Sequence, residues 1–370
     1  MNKFLLISLL ALIAFSFQSC NEDVQLATEY KEVPVIYGLL DQSDSLHFIK
    51  INRAFIGPGN AFDIAQIADS NYFTNVNAKI EEVINNTVVR SWTLRDTTLY
   101  TKSTNGLFYA PENKVYYFDT KTNPLLENAT YRLTVDINEG KLIVQGETRL
   151  VSGFATQIGA NTSVLSNNNL TLKFAKDPGE LISTSIWCQA GTAAFGNVSL
   201  DIEISEYRGT DSTHIHVPWV VSESTVANNK ITGVALGQTF YDLVKSKLTN
   251  DNTIDKRNFE GFRVTYTGGA DELYKYILVN KPTSSLTQSK PTFTNLTVTE
   301  GYSVVGLFSA RNVFSIYIPF INPDSQYIRC IDANTMRELC QGAITGNAYY
   351  FCSQHPIDNS SSNPKPYACN

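Results

Sequence analysis

The chain lacks the sequence motifs that mark the common catalytic mechanisms. It contains no G-x-S-x-G nucleophile elbow, no H-E-x-x-H zinc motif, no G-x-x-x-x-G-K-S/T phosphate loop and no G-x-G-x-x-G loop after a strand. Histidine, the most frequent general base, occurs four times in 370 residues. These absences exclude the enzyme classes that local motifs identify. The carboxylate pair of a glycosidase leaves no local motif, so a surface carbohydrate hydrolase stays open as the alternative function.

Charged residues are also few, and their balance is mildly acidic. Asp, Glu, Lys and Arg make up 17% of the chain, and the net charge at pH 7 is −6. Nucleic-acid binding depends on a basic patch that neutralises phosphates, so this composition predicts no nucleic-acid partner. After residue 20 no apolar run reaches the length of a membrane-spanning helix. Any membrane attachment is therefore expected at the N-terminus.

Residues 1–20 have the pattern of a bacterial lipoprotein signal peptide. Lys3 precedes an almost unbroken apolar run over 4–17, shorter than the about 20 residues that span a membrane. Ser19-Cys20 closes the run and resembles the cleavage site of Bacteroidota lipoproteins, which predicts acylation of Cys20 and anchoring in outer-membrane lipid. An ordinary signal peptide with a chance cysteine is the alternative. The acidic residues in 21–23 resemble a surface-export signal, so we expect the cell surface, with the periplasmic face as the alternative.

Four of the six cysteines fall within residues 330–370: Cys330, Cys340, Cys352 and Cys369. In an oxidising compartment such a cluster predicts disulfides that staple a tail with little core of its own. The local pairing is Cys330–Cys340 and Cys352–Cys369, although four cysteines allow three connectivities. A zinc site with His355 is the alternative, but the close C-x-x-C pairs of zinc modules are missing. Cys188 is predicted to be a buried strand thiol.

Short alternating segments over residues 33–150 predict an immunoglobulin-like β-sandwich. Asn85-Asn86 separates two strand-like segments and predicts a tight hairpin turn. Leu126 stands five residues before Tyr131, which opens an alternating strand. This spacing resembles a tyrosine corner, in which the phenol binds the backbone of the preceding turn.

A second β-rich region follows the predicted sandwich. Phe240, Leu243 and Val244 recur at nearly helical spacing and predict one amphipathic helix near 237–248. Residues 272–279 are predicted to form a strand. The whole chain is thus predicted to be mainly β and to divide into five segments: 1–20 signal peptide, 21–32 tether, 33–150 immunoglobulin-like sandwich, 151–325 β-rich domain, 326–370 cysteine-rich tail.

Two residue pairs on predicted strands carry groups that bind metals or transfer protons. His214 and His216 are two residues apart, so both imidazoles face one side of a strand and could reach one metal ion. Asp201 and Glu203 present two carboxylates in the same way, as acid–base groups or Ca²⁺ ligands. Neither pair has a third ligand at a recognisable spacing, so we prefer exposed strand faces and predict no metal and no cofactor.

The C-terminal third resembles a known family in a series of short segments: Phe240-Tyr241-Asp242-Leu243, Arg263-Val264, Gly268-Gly269-Ala270-Asp271-Glu272-Leu273-Tyr274-Lys275-Tyr276, Pro291-Thr292-Phe293-Thr294-Asn295-Leu296 and Gly306-Leu307-Phe308-Ser309-Ala310-Arg311. Their order is similar to an uncharacterised family of Bacteroidota outer-membrane lipoproteins with an FTN…G-x-G-L-F-S-S-R signature, over roughly 235–311. The resemblance implies a location and a class of protein, and it transfers no catalytic residue. Within the signature we expect Gly306 to allow a close backbone approach and Arg311 to be a structural anchor.

These observations predict a non-enzymatic, lipid-anchored outer-membrane protein that binds a partner. The partner is expected to be an outer-membrane transporter or an extracellular polymer such as a glycan. The 19 Tyr, 20 Phe and 3 Trp suit stacking on sugars or a protein interface, although most rings in a β-rich protein belong to the core. Two carboxylates about 5–10 Å apart in an aromatic cleft would instead indicate a hydrolase.

Overall fold

The computed structural model describes residues 31–56, 60–106, 108–165, 170–177, 179–281, 292–322, 329–342 and 349–369. Within these ranges the chain is mainly β, as predicted, and the helices are short. Cys20 and the predicted signal peptide lie outside the described residues. None of the described helices has the length and apolar character needed to cross a membrane.

The described strands and helices have the following bounds. The strands before residue 150 are β1 (Lys31–Asp41), β2 (Leu46–Ile56), β3 (Val76–Ile84), β4 (Thr87–Thr93), β5 (Arg95–Leu99), β6 (Asn113–Asp119), β7 (Thr130–Ile137) and β8 (Leu142–Arg149). The later strands are β9 (Ile158–Ala160), β10 (Ser163–Val164), β11 (Ala175–Asp177), β12 (Glu180–Leu181), β13 (Ser183–Gln189), β14 (Phe195–Arg208), β15 (Asp211–Thr225), β16 (Lys230–Leu236), β17 (Lys256–Gly269), β18 (Leu296–Val298) and β19 (Val305–Pro319). The helices are α1 (Ala61–Ala65), α2 (Ala68–Asn71), α3 (Gly237–Lys247), α4 (Asp271–Asn280) and α5 (Ala333–Gln341).

An eight-stranded sheet in the order β15-β14-β17-β19-β1-β2-β6-β5 forms the largest layer. Its neighbouring strands are antiparallel, except that β1 pairs in parallel with β19. A five-stranded sheet (β18-β8-β7-β3-β4) and a four-stranded sheet (β10-β9-β13-β16) share one hydrophobic cluster with its inner face. An added Cβ on Gly146 of β8 would lie 3.2 Å from the Cβ of Phe308 in β19, so the layers pack closely.

The eight-stranded sheet takes strands from both predicted β domains. β1, β2, β5 and β6 come from residues 33–150, whereas β14, β15, β17 and β19 come from 151–325. Conversely, β18 comes from residues 151–325 and pairs with β8 in the five-stranded sheet, whose other strands come from residues 33–150. Two of the sheets therefore contain strands from both sides of residue 150. The domain boundaries and the immunoglobulin-like assignment stay predictions.

The pairing of β1 with β19 depends on the residues of the C-terminal signature. At Gly306, with φ +133°, an added Cβ would lie 1.8 Å from the Ile36 carbonyl oxygen, so the strand needs glycine there. Arg311 Nε donates to Asp41 Oδ2 at 3.0 Å across the same pair of strands. Both the close approach at Gly306 and the anchoring role of Arg311 are confirmed.

Asn295 supplies a further link between layers. Its amide bonds both the N–H and the C=O of Phe308, at 3.0 and 2.6 Å, and it also donates to the Glu147 carbonyl at 3.1 Å. One side chain therefore joins β19 to β8, and the signature residues hold the sheets together.

The tyrosine corner forms as predicted. The Tyr131 hydroxyl accepts the Leu126 N–H at 2.6 Å and donates to Glu82 Oε2 at 2.8 Å. Glu82 is fully buried, and Arg90 pairs with both of its oxygens, at 2.9 and 2.6 Å. Burial, together with the adjacent Glu82 carboxylate, raises the pKa of Tyr131, so the phenol stays protonated. The predicted turn at Asn85-Asn86 is also present, with φ +48° and +63°.

Two of the three described helices after residue 200 differ from the sequence expectation. The helix predicted near 237–248 is confirmed as α3. The strand predicted at 272–279 is wrong, because that segment forms α4. Asp271 and Glu272 lie in the first turn of α4, and Asp271 pairs with Lys275 one turn later, which favours a helix. In the tail, Asp332 accepts the Thr335 N–H and begins α5.

The tail contains one of the two predicted disulfides. Cys352 and Cys369 are bonded, with Cα atoms 4.9 Å apart. The Cys330–Cys340 bond is not formed, because both are free buried thiols. The expected lack of a tail core is also wrong: Met336 and Leu339 of α5 join the main hydrophobic cluster, which removes the need for a second staple.

A buried ion pair of the body reaches the tail through one side-chain hydrogen bond, and a second buried ion pair lies within the tail. Arg257 is fully buried, pairs with Glu206 at 2.6 Å and donates to the Tyr349 carbonyl at 2.9 Å. Arg329 pairs with Asp358 at 2.7 Å in the same region. Each charge has a partner and further hydrogen bonds, as burial requires.

The hydrogen bonds around the Tyr131 hydroxyl predict the effect of removing that hydroxyl. Tyr131→Phe leaves the buried Glu82 carboxylate and the Leu126 N–H each without one partner, so we expect a loss of about 1–3 kcal/mol in the free energy of unfolding. Equilibrium unfolding in urea measures it. Tyr100→Phe, at a side chain that is 71% exposed, is the matched control and should change stability by less than about 0.5 kcal/mol. Equal effects of the two variants would contradict the assigned network.

The cysteine assignment predicts a thiol count. Burial raises the pKa of Cys188 to about 12 and also raises the pKa values of Cys330 and Cys340, so none should react with Ellman's reagent in the folded chain. The full chain with Cys20→Ser should expose three reactive thiols after unfolding without reductant. A count of one would show that a second disulfide exists.

Candidate functional site

Side chains alternate along β19 and define an inner and an outer face of the eight-stranded sheet. Phe308, Ala310 and Ile318 are buried in the core. Arg311 and Tyr317 lie at alternate positions and point to the opposite, outer face. This outer face carries both candidate sites, a histidine–carboxylate cluster and an aromatic groove.

The histidine–carboxylate cluster consists of Asp201, Glu203 and His216. Glu203 on β14 is directly opposite His216 on β15, and Asp201 is two residues earlier on the same side of β14. His216 Nδ1 lies 2.9 Å from Asp201 Oδ2. One ligand atom from each of the three residues lies within 4.8 Å of the other two. The sequence named both pairs separately, and the strand register brings one residue of the histidine pair to the carboxylates.

His214 is outside this cluster. It is opposite Ser205 on β14, and its Nδ1 lies 3.1 Å from the Ser205 Oγ. The two imidazoles share one face of β15 yet bond different partners. The structure therefore does not bring His214 and His216 together as ligands of one metal ion.

Two neighbours of the cluster were missed by the sequence analysis. Arg263 on β17 has its Nη2 4.0 Å from Glu203 Oε1 and its guanidinium 5.5 Å from the ring centre of Tyr317. Burial, and then the Glu203 charge, raises the pKa of Tyr317. No local pattern relates these strands, because only the register of β14, β17 and β19 places the residues side by side.

The zinc alternative in the tail is not formed. Cys352 and Cys369 share a disulfide, which removes two thiolates. The His355 ring packs against Phe320, and its Nδ1 accepts the Ile357 N–H. Within the described ranges, the cluster on β14 and β15 is the group of three or more ligands able to hold a metal ion.

The aromatic groove lies between α4 and the outer face of β1, β2 and β19. Its volume is about 400 Å³. The lining is mostly apolar and aromatic: Tyr37, Leu39, Leu46, Phe48, Leu273, Tyr276 and Leu307. Phe48 and Leu46 are 40% and 41% exposed, so the groove opens onto an apolar surface. Phe48 also contacts Tyr117 of β6, with ring centres 6.2 Å apart, which extends the aromatic surface along the sheet.

Polar groups stand at defined positions in this groove. The Tyr37 and Tyr276 hydroxyls are 3.1 Å apart, with the rings edge to face. Burial and this hydrogen bond raise the pKa of Tyr37 to about 12, so the hydroxyl is neutral and can both donate and accept. Arg311 and Asp44 also line the groove. The sequence does not predict this groove, because residues 272–279 have the pattern of a strand whereas the groove requires helix α4.

Among the described residues, neither the aromatic groove nor a second pocket places two carboxylates in an aromatic cleft, the arrangement that would indicate a hydrolase. Asp44 is the single carboxylate among the described residues that line the aromatic groove. A second pocket, of about 590 Å³, has three lining carboxylates, Glu127, Asp271 and Glu272, but its described lining contains no aromatic ring. Paired carboxylates and an aromatic cleft therefore occur in different places.

Comparisons with known proteins add little to this geometry. No protein-family model matches the chain, and no curated protein matches it. Among solved structures, it is similar to the C-terminal globular domain of an oligosaccharyltransferase from Pyrococcus abyssi, with a TM-score of 0.21 and 10% sequence identity. The match covers 64% of this chain and 46% of that chain. A TM-score this low supports no inference about activity, and membership of the lipoprotein family stays a prediction.

Proposed function

We propose that the protein is a non-enzymatic, lipid-anchored outer-membrane protein that binds an extracellular glycan in the aromatic groove. The groove itself is the observation that carries this proposal. Its volume of about 400 Å³ falls within the about 300–1,000 Å³ of small-molecule sites, and its lining joins apolar walls to a few polar groups. A protein segment of an outer-membrane transporter is the alternative occupant.

The chemistry of the groove suits a sugar ring. The C–H face of a pyranose is apolar and packs against aromatic rings such as Tyr276 and Phe48. Sugar hydroxyls both donate and accept, and they find matching groups in the Tyr37 hydroxyl, Asp44 and the Arg311 guanidinium. The Asp41 carboxylate on the neighbouring strand β1 accepts a hydrogen bond from Arg311, so this donor is already positioned before a ligand binds.

The anchor and the surface location are supported by the sequence. Acyl chains on Cys20 attach stably when more than one is present. The tether over 21–32 would then place β1 and the groove outside the bilayer. At the cell surface the groove would meet polymers before they enter the cell.

The anchor predicts a change in fractionation. Cys20→Ala removes the acylated residue, so we expect the protein to leave the membrane fraction and to lose incorporation of radiolabelled palmitate. Immunoblots of membrane and soluble fractions measure the first effect, and autoradiography measures the second. Ser19→Ala keeps the acceptor cysteine and serves as the control. Unchanged membrane retention of Cys20→Ala would contradict the lipid anchor.

The groove predicts glycan binding that depends on Tyr276. The full chain should be retarded in native gels that contain at least one of four polysaccharides: laminarin, yeast mannan, xylan or pectin. Tyr276→Ala removes a stacking face and the partner of Tyr37, and about 1.4 kcal/mol of lost binding free energy corresponds to a 10-fold weaker affinity. Isothermal titration with the retarding polysaccharide measures the change.

Tyr100→Ala is the matched control for this experiment, because it removes a highly exposed tyrosine outside the groove. The affinity of Tyr100→Ala for the retarding polysaccharide should equal that of the unmodified chain. Similar losses in both variants would place the binding elsewhere. If none of the polysaccharides retards the chain and a transporter is recovered in Tyr276-dependent co-purification, the protein alternative replaces the glycan.

A further inference from the structure

We propose that Asp201, Glu203 and His216 bind a divalent transition-metal ion of the zinc type on the outer face of the eight-stranded sheet. The site is separate from the aromatic groove and is independent of the proposed glycan function. From the sequence we predict no metal, and the candidate pairs are His214 with His216 and Asp201 with Glu203. The structure replaces His214 by two carboxylates of the neighbouring strand.

The backbone holds the three ligands in a defined arrangement. β14 and β15 pair over almost their whole lengths, and β14 pairs on its other side with β17, so Asp201 and Glu203 are on an interior strand of the sheet. Ligands on paired strands are positioned more precisely than ligands on loops. His216 stands on the edge strand and is fixed by its register with Glu203.

The distances between ligand atoms are close to those of a loaded site. Zinc bonds of about 2.0–2.2 Å place tetrahedral ligand atoms about 3.4 Å from one another. Here His216 Nδ1 and Asp201 Oδ2 are 2.9 Å apart, and the group as a whole lies within 4.8 Å. The His216 side chain is 57% exposed, so it has room to turn by the small amount that coordination requires.

An unsatisfied oxygen provides a second, independent observation. Asp201 Oδ1 is buried and has no hydrogen-bond partner among the described residues, although Oδ2 of the same carboxylate bonds His216. A buried acceptor without a partner is costly. A cation bound to this carboxylate would offset that cost.

The donor set selects the type of ion. Imidazole nitrogen binds zinc and its transition-metal neighbours, whereas Ca²⁺ and Mg²⁺ take oxygen ligands. Among the described ion pairs, Arg263 is the Arg or Lys that pairs with these carboxylates, with its Nη2 4.0 Å from Glu203 Oε1 and its guanidinium over the Tyr317 ring. Three protein ligands leave a fourth position for water or for a donor atom of a bound partner.

Isothermal titration of the full chain, purified without a histidine tag, with zinc chloride tests the proposal. We expect one equivalent of zinc to bind, and His216→Ala or Asp201→Asn to weaken the affinity by at least about 10-fold. His214→Ala is the matched control, because it removes an imidazole from the same face of the same strand. Its affinity should stay within a factor of two of the unmodified chain. Cobalt absorption spectra of the same four proteins should show ligand-field bands in the unmodified chain and His214→Ala alone.

Thermal unfolding with and without zinc confirms that each variant is folded and reports binding through a second signal. Zinc should raise the midpoint of the unmodified chain and of His214→Ala, and it should leave the midpoint of His216→Ala unchanged. The proposal is overturned if the unmodified chain binds zinc no more tightly than His216→Ala. It is also overturned if His214→Ala loses as much affinity as His216→Ala, or if calcium binds at this site and zinc does not.

Discussion

β1 and β19 lie near opposite ends of the described chain, yet they pair in parallel at the centre of the eight-stranded sheet. All other strand pairs in this sheet are antiparallel, and two of them, β1–β2 and β14–β15, are hairpins with short turns that local sequence can specify. The central pair depends on close contact at Gly306, where any side chain would overlap the Ile36 carbonyl, and on the Arg311–Asp41 ion pair. Neither half of the sheet is complete without this junction, and the inner and outer faces both run across it.

The junction explains why the signature residues and the functional candidates lie so close together. Arg311 pairs with Asp41 and also lines the aromatic groove, so one side chain serves both the fold and the site. α4 directly follows β17 and covers the outer face beside β1. A groove of this shape requires both strands and the helix, which come from distant parts of the chain. Gly306 and Arg311, which the C-terminal signature contains, therefore have structural roles.

The outer face has a different chemistry at each of the two places. Near α4 it is aromatic and apolar, whereas across β14, β15, β17 and β19 it carries carboxylates, imidazole, guanidinium and phenol. An apolar groove suits the face of a sugar ring, and a histidine–carboxylate cluster suits a metal ion. The proposals for the two places stand on separate observations. Both sites use side chains on the outer face of the sheet, which do not take part in the hydrophobic core.

The sequence by itself determined the mainly β class, the Asn85-Asn86 turn, the corner at Tyr131 and helix α3. Each of these depends on spacing within a few residues or on neighbours in the chain, which a single sequence displays. The tertiary structure alone decided that His216 joins Asp201 and Glu203 and that His214 does not. It also decided that α4 packs against the outer face of the sheet and that β1 meets β19. Those outcomes depend on strand register and on contacts between distant segments, which no local pattern records.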